Sequence, residues 1–98
     1  MTTTSTVDIN QMLAERGKRY GKFLSHAEIT QDLKALIRSF MLEMDRRLEY
    51  DQQEALDMIC HKIGRILNGD PNYPDSWDDI AGYAKLVADR LRDNSDPF

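Results

Sequence analysis

Three successive runs of apolar residues at helical spacing constrain this chain more than any other feature. In the first, Ile29, Leu33, Leu36, Ile37, Phe40, Met41 and Met44 recur mostly at steps of three and four, which places them on one stripe of an α-helix. Ala55, Leu56, Ile59, Ile63, Ile66 and Leu67 form the second stripe, and Trp77, Ile80, Ala81, Ala84, Val87, Ala88 and Leu91 the third. No stretch shows the alternation of period two that marks a half-buried strand. The connections between the runs are too short to carry the chain back to its starting end, so consecutive helices must run antiparallel. The sequence therefore predicts an all-α fold, a small antiparallel helical bundle of one short and three longer helices.

Residues 8–92 read as one helical domain between a disordered 1–7 and a flexible 93–98, because MTTTST and DNSDPF have little to bury. Asp8 is placed to cap a short first helix running to about Glu15, with Gly17 and Gly21 bracketing a loop. Ser25 and Glu28 stand in capping-box relation at the start of the second helix, as do Asp51 and Glu54 at the third. Asp45-Arg46-Arg47 marks the end of the second, and Asn68-Gly69 predicts a left-handed stop for the third. Pro71 and Pro74 hold DPNYP extended. Asp75 or Ser76 then caps the fourth helix, whose Trp77 is expected to anchor the hairpin core. Gly82 inside that helix costs about 1 kcal/mol relative to Ala, which predicts a close helix–helix approach or a ligand there.

A chain of 98 residues supports one small core, and at this size burial of a further face in a homo-oligomer is expected to help. The net charge of −4 and pI of about 5.0 oppose binding to duplex nucleic acid, whose affinity comes from cations that displace counterions. No apolar run approaches the roughly 20 residues of a membrane span, and the Thr-rich start lacks the pattern of a signal peptide. A soluble cytoplasmic protein with no membrane partner is expected. Cys60 is the only cysteine, which excludes an internal disulfide and a cysteine-based zinc site within one chain. Its place at the edge of an apolar stripe reads as a buried inert thiol rather than a nucleophile. An unperturbed histidine would titrate near neutral pH, which is the expectation for His26 and His61, but neither has sequence neighbours that suggest a metal pair.

Two polar groupings carry the functional reading. Lys62 and Arg65 lie beside the apolar stripe of the third helix, and Asp79, Tyr83 and Arg90 on a matching flank of the fourth, with Asp75 one turn before Asp79. Such cations either pair with Asp75 or Asp79 and set the hairpin register, for about 0–1 kcal/mol, or line a pocket for a phosphate group. Arg16, Lys18, Arg19 and Lys22 are interleaved with Tyr20 and Phe23 and flanked by glycines. That turn reads either as a solvated basic segment anchored by its rings or as a phosphate and base contact. The candidate ligand-binding residues are Lys18, Arg19, Tyr20, Lys62, Arg65, Asp79 and Tyr83.

The segments GKRYGKFLSHAEITQDLKA and EALDMICHKIGRILNGDPNYPDSWDDIAGYA closely resemble a family of small phage and prophage proteins with no established activity, over roughly residues 14–92. More distantly, D-x-x-D-D-I-x-x-Y is similar to the second acidic motif of the MazG-like all-α nucleoside triphosphate pyrophosphatases. Those enzymes hold magnesium with E-E-x-x-E on one helix and E-x-x-D on the next. The resemblance implies Glu54, Asp57, Asp75 and Asp78 as the magnesium ligands of an enzyme alternative. Gln53 lacks a charge and Asp replaces Glu at Asp57 and Asp75, so the carboxylates are fewer and shorter than that pattern requires. The leading expectation is a phage-encoded accessory protein in the cytoplasm of an infected bacterial host. It would bind a nucleotide-like small molecule without catalytic residues or a cofactor, and so sequester a host immune signal. The alternatives are the magnesium-dependent pyrophosphohydrolase and a protein–protein inhibitor of a host defence component, presenting Asp75, Asp78, Asp79 and Asp89 as an acidic face.

Overall fold

Helix boundaries in this chain are decided by backbone partners at the ends. The computed structural model describes residues 8–93, and these form α1 (Ile9–Tyr20), α2 (Phe23–Glu43), α3 (Tyr50–Asn68) and α4 (Pro74–Asp93), with no strand among them. The all-α architecture of one short and three longer helices is as predicted. The segment 1–7 and residues 94–98, for which disorder or flexibility was expected, lie outside the described residues, while Asp93 closes α4.

Several ends differ from the sequence reading. Asp8 does cap α1, its Oδ1 accepting from the Gln11 amide at 3.2 Å. The helix nevertheless continues through the basic run to Tyr20, so Arg16, Lys18 and Arg19 are helical residues and not a loop. The break comes at Gly21, whose φ of 79° is open to glycine and strained for other residues. Because α2 has already begun at Phe23, Ser25 and Glu28 do not cap it. At α3 the cap lies two residues earlier than predicted, where the Glu49 amide donates to Gln52 Oε1 at 2.9 Å. Pro74 opens α4 at a position where its missing N–H costs nothing. Gly69 has φ −129°, so the third helix does not stop on a left-handed residue.

α3 lies in the middle of a layer. His26 near the start of α2 meets His61 near the end of α3, and Arg90 near the end of α4 meets Asp51 at the start of α3, so both neighbours run antiparallel to it. They flank it on opposite sides, and α2 and α4 have no Cα–Cα approach within 8 Å. The α2–α3 seam is close because residue 64 is glycine: a Cβ there would lie 2.5 Å from Thr30 Oγ1 and 2.9 Å from His26 Nδ1. Gly82, where a close approach was predicted, would meet nothing within 4 Å. Trp77 is likewise not a core anchor. It is 54% exposed and uses its indole N–H to hold the Pro71 carbonyl at 2.8 Å, bracing the connection.

The hairpin flanks meet as cation against carboxylate. The Arg90 guanidinium grips both Asp51 oxygens and reaches Glu49 Oε2 at 2.9 Å, a clamp that holds Asp51 below the usual carboxylate range and raises Arg90. Lys62, itself buried, pairs with the half-exposed Asp79 at 2.9 Å. An asymmetry follows. Asp79→Asn leaves a buried ammonium without its counter-charge and should cost about 1–2 kcal/mol, reduced from the full buried value by the exposure of Asp79. Lys62→Met removes the desolvated charge along with its need for a partner and should stay within about 1 kcal/mol of the parent. Urea midpoints of the two variants check this; equal losses would show that the pair itself, and not the stranded lysine, sets the cost.

Candidate functional site

The corner between α1 and α2 is clasped to the end of α3. Asn68 Nδ2 donates to the carbonyls of Tyr20 and Lys22, each at 2.8 Å, and the Asp70 amide donates to the Arg19 carbonyl at 2.6 Å. A Cβ at Gly69 would stand 2.0 Å from that same carbonyl, so this junction closes only around glycine. The clasp fixes α1 against α3. Between α1, α2 and α3 it leaves a hollow of about 350 Å³ lined by Leu13, Arg16, Tyr20, Gly21, Phe23, His26, His61 and Arg65. That volume lies at the small end of the range for ligand pockets, about 300–1,000 Å³.

Two cations serve this hollow. The Arg65 guanidinium lies 4.2 Å from the centre of the Tyr20 ring, a cation–π contact that holds its plane. Among the described residues neither Arg65 nor Arg16 has a carboxylate within 4.0 Å, in contrast to Lys62, Lys85, Arg90 and Arg92. Tyr20 already carries Arg65 on its face and Tyr73 on its edge, 6.3 Å away. Phe23 is 79% exposed at the mouth, so it is the ring left free for stacking.

The inner wall is a histidine pair. His26 Nε2 and His61 Nδ1 are 3.2 Å apart, with the Thr30 hydroxyl 3.5 Å from the same His26 nitrogen. His26 is buried and its Nδ1 makes no hydrogen bond. Loss of water pushes both imidazoles down, His61 to about 4, and nearby positive charges add to it: Arg65 and Lys62 for both, and Lys34 for His61. At neutral pH the pair is uncharged. One ring nitrogen of each can then donate and the other accept.

The structure divides the predicted site residues. Tyr20 and Arg65 meet in the hollow. Lys62 turns to the other neighbour and is neutralised by Asp79, so the two cations do not share a recess. Asp79 and Tyr83 line a separate surface depression of α4 together with Gly82. Arg19 covers the Tyr73 ring at 4.8 Å, and Lys18 is exposed on α1. Arg16 and Phe23, read in the basic turn but not among the candidate ligand-binding residues, also line the hollow, as do His26 and His61, which had no predicted place in a site. For Arg16 the signal was available, since Leu13, Arg16 and Tyr20 fall at steps of three and four once the basic run is read as helix. No local signal joins His26 to His61, which are 35 residues apart.

No three His, Cys, Asp or Glu residues among those described converge on a point that could hold a metal ion, so Glu54, Asp57, Asp75 and Asp78 do not form the magnesium cluster of the enzyme alternative within this chain. Cys60 is buried and its thiol is raised by burial and by Asp57, which disfavours the thiolate that a nucleophile needs. No helix among the described residues is long and apolar enough to cross a membrane. Comparison with family models, with curated proteins and with solved structures returned no match.

Proposed function

We propose that this chain binds a small phosphate-bearing molecule of the nucleotide class in the hollow between α1, α2 and α3, without turning it over. The observation that carries the reading is the presence there of Arg16 and Arg65, neither engaged by a carboxylate among the described residues. A guanidinium binds phosphate through paired N–H donors, the neutral histidines supply further polar contacts, and the exposed Phe23 offers a face to a base. The resemblance to small phage proteins would make sequestration of a host signalling nucleotide the role such binding serves. The magnesium-dependent alternative has no converging carboxylates to support it. The acidic-face alternative is weakened because Asp79 is paired with Lys62, and Asp89 with Lys85 and Arg92.

Calorimetry with inorganic phosphate, pyrophosphate and a panel of linear and cyclic nucleotides tests the proposal. Micromolar binding of at least one nucleotide is expected. Arg65→Gln should weaken it about 10- to 100-fold, the loss of about 1.5–3 kcal/mol that goes with a charge-assisted hydrogen bond. No binding at millimolar ligand removes the reading. Pyrophosphate release with magnesium that is abolished by Asp75→Ala or Asp78→Ala would replace it with the enzyme.

A further inference from the structure

The layer has an uncovered apolar side. At about 100° per residue, the α3 residues packed against α2 (Gly64) and against α4 (Lys62) point about 160° apart. Between these directions, on one side, fall Leu56, Ile63 and Leu67; on the other lie Glu54 and Arg65. Both neighbours are antiparallel to α3, and the same rotation turns Ile29, Leu36 and Phe40 of α2 toward the Leu56–Ile63–Leu67 side. It does likewise for Trp77, Ala84 and Ala88 of α4. Exposure agrees: Leu36 is 54% exposed, Phe40 52%, Leu67 67% and Trp77 54%. The stripes that the sequence assigns to a core thus form one continuous face of a slab three helices wide.

We infer that this face is closed by a second copy of the chain, packed layer on layer about a two-fold axis that runs along the helices. The first ground is what the chain buries by itself. Ala55 and Cys60 are its only buried hydrophobic residues among those described, and no large side chain is fully buried. A cover that arrived only occasionally would leave the fold without a core, whereas an identical chain is present wherever this one is. The second ground is area. Helices about 9 Å apart, three abreast and as long as the 19-residue α3, make a face of about 800 Å², one partner's share of a stable interface.

Side-chain size selects the axis. α2 presents Leu36 and Phe40, while α4 presents Ala81, Ala84 and Ala88. An axis along the helices lays the bulky stripe of one copy over the small-residue stripe of the other. The contacts His26–His61 and Arg90–Asp51 set the helix heights so that Leu36 and Ala88 stand level along α3. The two therefore meet across the interface. The hollow opens on the opposite side of the slab, so pairing and nucleotide binding succeed or fail separately.

Sedimentation equilibrium of the full chain, with thermal unfolding at several concentrations, tests the inference. Twice the monomer mass is expected, with a Tm that rises with protein concentration. Leu36→Lys and Ala88→Glu should each abolish the dimer, and the two together in one chain should restore it through Lys–Glu pairs made across the axis. Arg38→Glu, exposed on the polar side, should leave the mass unchanged. Four results would overturn the inference: a monomer with a sharp, concentration-independent transition; a dimer indifferent to Leu36→Lys and Ala88→Glu; a double variant no better than the single ones; or a chain that becomes folded only when a different protein is supplied.

Discussion

Gly64→Ala is expected to destabilise the protein by about 1 kcal/mol, while Gly82→Ala, the same change in another helix, stabilises it by about 1 kcal/mol. In isolation both substitutions favour a helix by roughly 1 kcal/mol, because alanine has less backbone entropy to lose. What separates them is space. A methyl group at residue 64 would lie 2.5 Å from Thr30 Oγ1 and 2.9 Å from His26 Nδ1, and neither side chain can retreat, since both are buried and in contact with each other. Overpacking of this kind typically costs about 1–3 kcal/mol, and here it must also cancel the helix gain, so α2 has to move away from α3. At residue 82 no heavy atom lies within 4 Å, and only the propensity gain remains. Urea unfolding of the two variants reads both signs. Stabilisation by both would mean that the α2–α3 seam is looser than the structure shows.

Acid should weaken the fold well before its carboxylates titrate. Both histidines have folded pKa values below the ordinary 6.5, that of His61 at about 4. Below pH 6.5 the unfolded chain therefore takes up protons that the folded chain refuses, and stability falls with pH until it drops below the folded values. The charged groups facing the pair act in this direction, Lys34 from α2 and Lys62 and Arg65 from α3, while the Gly64 backbone opposes it at His26 without reversing it. Because His61 is only half-buried, solvent screening reduces the effect to about 1–2 kcal/mol between pH 7 and pH 4.5. Asp51 and Asp89 have depressed pKa values, so their contribution is lost mainly in stronger acid, after most of the histidine effect. A urea midpoint that declines from pH 6.5 to 4.5, and flattens in His61→Gln, is the expected result; a flat parent profile would mean that the imidazoles reach water freely. An anion in the hollow favours the protonated rings, so the proposed ligand should bind more tightly at pH 5.5 than at pH 7 and take up protons as it does so.

The order and number of the helices were legible in the sequence because they depend on periodicity and on breakers, which act within a turn or two. Asp8 as the first cap, the end of α2 near Asp45 and the cation–carboxylate meeting of α3 with α4 were all local enough to be read. The misplaced starts of α2 and α3 share a cause. A Ser-x-x-Glu or Asp-x-x-Glu spacing caps a helix only if the backbone has not already entered it, and here the chain turns inward three residues earlier at α2 and two at α3.

Tertiary structure decided which of these local features meet. That Lys62 is neutralised while Arg65 opens on a hollow follows from their pointing to different neighbours, although they are three residues apart on one helix. The histidine pair, the clasp of Asn68 on the α1–α2 corner and the tightness at Gly64 each join residues distant in the chain, and no periodicity carries that information. By itself the sequence determined four amphipathic helices and their directions, since hydrogen bonding and the helical repeat are properties of neighbours along the backbone. The arrangement of α3 between two helices that do not touch, which leaves one apolar side and one charged side, depended on packing among all of them at once.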